Sequence, residues 1–262
     1  MVRNQMVDKR SIARDWLTRY TGMPLEKFGD YILLTNFRDY MSRFANRFGC
    51  EIHGEDRPMQ AATNSDGLTI VNFGIGSPNA ATIMDLLTAC MPECVLFLGK
   101  CGGLKDSTEI GHFILPIGAI RGEGTSDDYL PPLVPALPSF KLHKFVSQVL
   151  VEHGLEYRTG VVHTTNRRVW EHDEAFKDKL RDYSCNAIDM ETATIFAVGH
   201  RNHIARGALL LVSDKPMTPD GVKTSRSDAA VSKNWSDIHL DIGIQSLTEI
   251  GEKGETIKHF TY

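Results

Sequence analysis

The chain has 262 residues, 42% of them hydrophobic and 24% charged, with a formal net charge of −4. That length suffices for one large α/β domain with a full core, and residues 1–262 are read as a single domain. The charge implies no bulk attraction to nucleic acid or an anionic membrane, no apolar run is long enough to span a bilayer, and the polar stretch Met1 to Arg19 has no signal-peptide core, so a cytoplasmic protein is expected.

An amphipathic helix is predicted from about Asp8 to Tyr20, with Ile12, Trp16 and Tyr20 on one face. Tyr31–Thr35 is the first strand and runs into Asn36-Phe37-Arg38. Leu68–Phe73 follows and exits into Gly74-Ile75-Gly76-Ser77-Pro78-Asn79. There Ser77 suits a helix N-cap and Pro78 a first helical residue, and the backbone N–H groups can hold an anion. The dinucleotide fingerprint needs a third glycine, but Asn79 and Ala80 follow, and a tight turn with close helix packing is an equal reading.

Val95–Leu98 leads into Gly99-Lys100-Cys101-Gly102-Gly103, where small residues let a ligand approach the backbone. Lys100 can serve a phosphate there, or be a solvated lysine on a plain turn. After the strand Phe113–Ile120, a helix carries Leu142, Phe145, Val146, Val149 and Leu150 and stops at Gly154. The strands Arg158–His163, Ala187–Met190 and Ala208–Val212 run into Thr164-Thr165-Asn166, Asp189-Met190-Glu191 and Ser213-Asp214-Lys215. A long last helix spans about Asp228 to Ile250, with Val231, Trp235, Ile238 and Ile242 facing the core.

This alternation predicts a sheet covered by helices on both faces, with the site at the carboxyl ends of its strands. Glu191 can accept hydrogen bonds from two sugar hydroxyls, beside the soft apolar surface of Met190. Taken alone, its spacing fits a helix-start acid favoured by the helix dipole better. Asp214 closes an apolar run, where burial can raise a carboxyl pKa and let it donate a proton, or where it can simply close an Asx-turn. The five cysteines form no Cys-x-x-Cys pair and read as reduced, mostly buried thiols. His200 and His203 lack a third ligand and read as a solvated helix face rather than a metal site.

Taken together, the Gly-x-Gly loop, the Gly-x-Cys-Gly-Gly loop, Gly122-Glu123-Gly124-Thr125-Ser126, Asp189-Met190-Glu191 and Ser213-Asp214 resemble the nucleoside phosphorylase/nucleosidase superfamily over roughly residues 30 to 250. Within it the likeness is to the AMP nucleosidases. It rests on Tyr31 to Asn36, Asn166 to Glu171, Asp189 to Ile195 and Val212 to Pro216.

The resemblance implies a three-layer αβα fold whose central mixed sheet is partly barrel-like. It implies hydrolysis of AMP to adenine and ribose 5-phosphate, with a purine nucleoside or uridine phosphorylase using inorganic phosphate as the alternative. Glu191 would hold the ribose hydroxyls, Met190 would pack on the ribose, and Asp214 would serve the purine at N7. Thr164 to Trp170 would line the base, including Thr165, Asn166, Arg168 and Trp170. Asn36, Gly76, Cys101, Gly102, Asp189 and Ser213 complete the expected binding set, and Arg38, Lys100 and Arg168 are the candidates for a 5′-phosphate. No cofactor, metal, nucleic-acid polymer or membrane partner is implied. A dimer-based homo-oligomer, with a hexamer as one form, is.

Two positions depart from the phosphorylase pattern. An arginine and a serine or threonine expected around the glycine of the third-strand loop are replaced by Phe97 and Lys100. A site for inorganic phosphate is thereby compromised, which favours water as nucleophile. About 30 residues precede the first strand, so the resemblance is to a short form without the extra N-terminal domain of long AMP nucleosidases.

Overall fold

The computed structural model describes residues 8–253, so both ends of the expected 1–262 domain lie outside the described residues. In chain order the elements are α1 (Lys9–Thr21), β1 (Tyr31–Thr35), α2 (Arg38–Phe48), β2 (Gln60–Thr63), β3 (Leu68–Asn72) and α3 (Ser77–Leu86). Then come β4 (Cys94–Gly103), β5 (Phe113–Gly122), α4 (Phe140–Glu152), β6 (Tyr157–Thr165) and α5 (Glu174–Asp182). β7 (Ala187–Asp189), α6 (Thr192–Arg201), β8 (Ala205–Asp214) and α7 (Ser225–Glu252) complete the order. No helix among the described residues is long and apolar enough to cross a membrane.

The strands form one mixed sheet in the order β2-β3-β1-β4-β7-β6-β5-β8, and β8 also pairs with β4. That second pairing closes β4, β7, β6, β5 and β8 into a five-stranded barrel, with β1, β3 and β2 extending from it as an open wing. β1, β3, β4 and β8 run parallel, while β5 meets β8, and β7 meets β4, antiparallel. The expected partly barrel-like αβα fold is the one observed.

The long central strands are buried on both faces, so their apolar runs are continuous and each face takes alternate residues. On β8, Ala208, Leu210 and Val212 enter one core with residues of α1, α3 and α6. Leu209 and Leu211 enter the other, with residues of α2, α4 and α7. Phe97, at the position where an arginine was expected, is wholly buried and packs on Phe73 in the first core.

Three local expectations are corrected, and one strand is added. α1 buries Ala13, Leu17 and Thr21, while Ile12 and Trp16 are exposed and Trp16 stacks on Tyr20. The face of Ala13 and Leu17 enters the core that α3 also lines, with Tyr20 packed at its edge. The short strand β2 carries no apolar run to announce it and gains its place by antiparallel pairing with β3. Ser77 lies inside α3, and Gly76 is the cap residue. α6 ends at Arg201, and His203 lies beyond it with φ +57°, so His200 and His203 do not share a helix face.

Candidate active site

A cavity of about 230 Å³ opens where β1, β4, β6, β7 and β8 end. Asn36 and Phe37 leave β1, and Lys100, Cys101 and Gly102 come from the end of β4. Thr165, Arg167, Arg168, Trp170 and Glu171 follow along β6 and its exit. Asp189, Met190 and Glu191 close β7, and Ser213 and Asp214 close β8. Ile75, Ile188, Pro216, Lys223 and Asp228 complete the wall.

The two acids of the Asp-Met-Glu run have separate tasks. Asp189 accepts hydrogen bonds from the Thr164 hydroxyl at 2.7 Å, the Thr192 hydroxyl at 2.6 Å and the Thr192 N–H at 2.8 Å. The Glu191 N–H adds a fourth at 3.2 Å. Asp189 therefore satisfies the open N–H groups at the start of α6. This leaves Glu191 free of the helix-start role that its spacing suggested.

Glu191 is buried, and its Oε1 accepts the Gly76 N–H at 2.7 Å. Gly76 sits at φ +95°, a conformation that side-chain-bearing residues avoid, and this aims its N–H at the carboxylate. The Ser77 hydroxyl, expected to cap α3, instead donates to the Met190 carbonyl at 2.6 Å and ties the two loops together. Burial, then the neighbouring Asp189 charge, push the Glu191 carboxyl well above the usual range, against the Gly76 and Met190 N–H groups. Asn36 stands beside it, and its Oδ1 is buried without a hydrogen-bond partner.

Asp214 accepts the Ser213 hydroxyl at 2.6 Å, and Lys223 Nζ stands 3.9 Å away. No backbone N–H among the described residues bonds to its carboxyl, so it does not close an Asx-turn. Burial raises its pKa, opposed by Ser213 and the Lys223 charge. It is a carboxyl of raised pKa on a cavity wall, the placement a proton donor needs.

Not all expected residues reach the wall. Arg38, the first residue of α2, and Asn166 are exposed and outside it. Thr164 and Gly76 stand behind it and act through Asp189 and Glu191. Lys100 reaches the wall but is no spare cation. Its Nζ donates to Ser232 at 2.8 Å and Asp228 at 3.1 Å and lies over the Phe37 ring. Arg167 lies in the stretch expected to line the base, and sequence reasoning missed Phe37, Ile75, Glu171, Ile188, Pro216, Lys223 and Asp228. For the last two a signal exists, because Thr224-x-x-Ser227 is a capping box that fixes where α7 begins.

A model of the phosphorylase superfamily matches residues 30–240. AMP nucleosidase of Escherichia coli strain K12 is 32% identical over 94% of this chain. The chain spans 60% of that relative's length. Guanosine phosphorylase of Halorubrum lacusprofundi is 30% identical, covering 70% of this chain and 75% of its own. Among solved structures, the AMP nucleosidase from Bacteroides thetaiotaomicron superposes with a TM-score of 0.85 at 48% identity, over 94% of this chain and 99% of that one.

Proposed function

The chain belongs to the phosphorylase superfamily, and from that premise we propose that it hydrolyses the N-glycosidic bond of AMP, giving adenine and ribose 5-phosphate. The observation that carries the reading is the pair of buried carboxyls, Glu191 and Asp214, on one cavity wall with cations beside them. Its likeness to the two AMP nucleosidases supports the substrate. The reaction belongs to purine salvage or nucleotide catabolism.

As the bond between the anomeric carbon and the purine lengthens, its electron pair moves into the base. Asp214 gives its proton to N7, which offsets that charge. The sugar becomes oxocarbenium-like, as in glycoside hydrolysis, the oxygen of a water forms the new bond at the anomeric carbon, and the proton that water releases restores the Asp214 carboxyl through solvent. Glu191 accepts hydrogen bonds from the 2′- and 3′-hydroxyls, Met190 packs on the ribose, and the open Asn36 Oδ1 offers a further acceptor. The 5′-phosphate meets a cation at the cavity wall, where Arg168 has a loose 3.5 Å pairing with Glu171 and is the most readily redirected. The same reading carries a dimer-based homo-oligomer, whose contacts would cover the exposed Ile75 and Val169 near the cavity. Light scattering tests that assembly.

Likeness to a guanosine phosphorylase favours one rival, cleavage by inorganic phosphate. Incubation with AMP, adenosine and inosine, with and without phosphate, separates the two. Adenine and ribose 5-phosphate formed from AMP without phosphate are expected. A sugar product phosphorylated at C1′, appearing only when phosphate is supplied, would sink the hydrolase reading.

A further inference from the structure

Two lysines of the cavity wall share one acid. Asp228 Oδ1 lies 3.1 Å from Lys100 Nζ and 3.3 Å from Lys223 Nζ. The three groups come from distant parts of the chain: the end of β4, the residue before the α7 cap, and the first turn of α7. Ser232, one turn along α7 from Asp228, adds a hydroxyl to Lys100 at 2.8 Å. The Lys100 side chain is only 3% exposed, so it is a desolvated ammonium. Burial lowers its pKa, and the Asp228 charge opposes that fall. Burial would raise the Asp228 pKa, but Lys223 and Lys100 outweigh it and hold the carboxyl below its usual range.

Two ammonium groups converging on one oxygen, with a hydroxyl alongside, have the chemistry of an oxyanion subsite. Here that point is filled by the chain's own carboxylate. We infer that Asp228 is a built-in anion that occupies the Lys100–Lys223 subsite and keeps inorganic phosphate out of the reaction cavity. The inference rests on the reading of this cavity as a site of glycosidic cleavage by water, and makes Asp228 a determinant of that specificity. An incoming phosphate must either displace a carboxylate tethered by the capped first turn of α7 or sit beside it and be repelled. A tethered carboxylate is present at high effective concentration, so free phosphate competes poorly.

The test titrates the full chain with inorganic phosphate by calorimetry at constant ionic strength, for wild type, Asp228→Asn, Asp228→Ser and Asp228→Glu. Both neutral variants should bind phosphate at least tenfold more tightly than wild type, and phosphate should become an inhibitor of their turnover of AMP. Asp228→Glu should keep phosphate out. Adding Lys100→Met and Lys223→Met to Asp228→Asn should abolish the gain. No gain in a neutral variant with a cooperative thermal melt overturns the inference, as does a gain that survives loss of both lysines. If neither neutral variant folds, Asp228 is a structural counter-ion and the inference is equally overturned. Because calorimetry needs no turnover, the two readings fail separately. Phosphate gain without adenine release from AMP by wild type sinks the nucleosidase proposal alone, and adenine release without phosphate gain sinks this one alone.

Discussion

The Gly76 backbone N–H donates a 2.7 Å hydrogen bond to Glu191 Oε1, across 115 positions of sequence. It fixes one carboxylate oxygen against the loop between β3 and α3. Oε2 accepts the Met190 N–H at 3.3 Å, and the Asn36 side chain stands beside the carboxyl. The proposed ribose role of Glu191 uses the acceptor capacity that remains on this positioned carboxyl.

Glu191→Gln keeps the volume of this side chain and removes its ability to carry a negative charge opposite the developing positive sugar. Contacts to the ribose hydroxyls strengthen as positive charge grows on the sugar, so the loss should appear in kcat as well as KM. Against AMP the variant should be impaired. With wild type, 2′-deoxy-AMP should be a poor substrate and should lose less on mutation, the pattern of a double-mutant cycle with the substrate as one partner. Equal losses for the two substrates in steady-state kinetics would show that Glu191 does not contact the 2′-hydroxyl.

Asp214→Asn should reduce kcat by roughly 10²–10⁴-fold, the range for a general acid, with little change in AMP binding. The Ser213 hydroxyl can still bond to the new amide oxygen, so the fold should hold. Near wild-type turnover in a base-release assay would reduce Asp214 to a strand-end residue.

The cations separate by position. Arg168→Ala should shrink the preference for AMP over adenosine, because Arg168 lines the cavity with its side chain 59% exposed. Arg38→Ala should leave the ratio of kcat/KM values unchanged, because Arg38 lies outside the wall. The opposite pattern in the two variants would place the 5′-phosphate at the start of α2.

Burial raises the Glu191, Asp189 and Asp214 carboxyls together. The native state then holds protons that the unfolded chain gives up, so stability is full below the ordinary carboxylate range and falls as pH rises through the elevated native values. Glu191→Gln removes one such group. The unfolding free energy of the variant should rise relative to wild type from about pH 5 upward, by at most about 1.4 kcal/mol per pH unit, with Tm following. A Tm difference that stays flat with pH would mean that Glu191 is ionised in the folded protein.

The sequence by itself determined where the buried strands end and which polar residues follow them. Apolar runs fixed the central strands, and the polar residues after them marked their ends, because local burial is written in hydrophobic patterning. Asp189-Met190-Glu191 and Ser213-Asp214 were legible on those grounds and by resemblance. Only the tertiary structure decided the division of labour within them. Asp189 and Glu191 are two residues apart and chemically alike, yet Thr164 and Thr192 claim one, and Gly76 turns the other to the cavity. Lys100 read as an open cation because its partners, Asp228 and Ser232, lie 128 and 132 positions away. Strand pairing and helix packing set which distant side chains meet, and a carboxylate a few ångströms from a buried ammonium changes its charge balance more than any sequence neighbour does. Periodicity records which residues are buried, and the closure of β8 onto β4 decides what they are buried against.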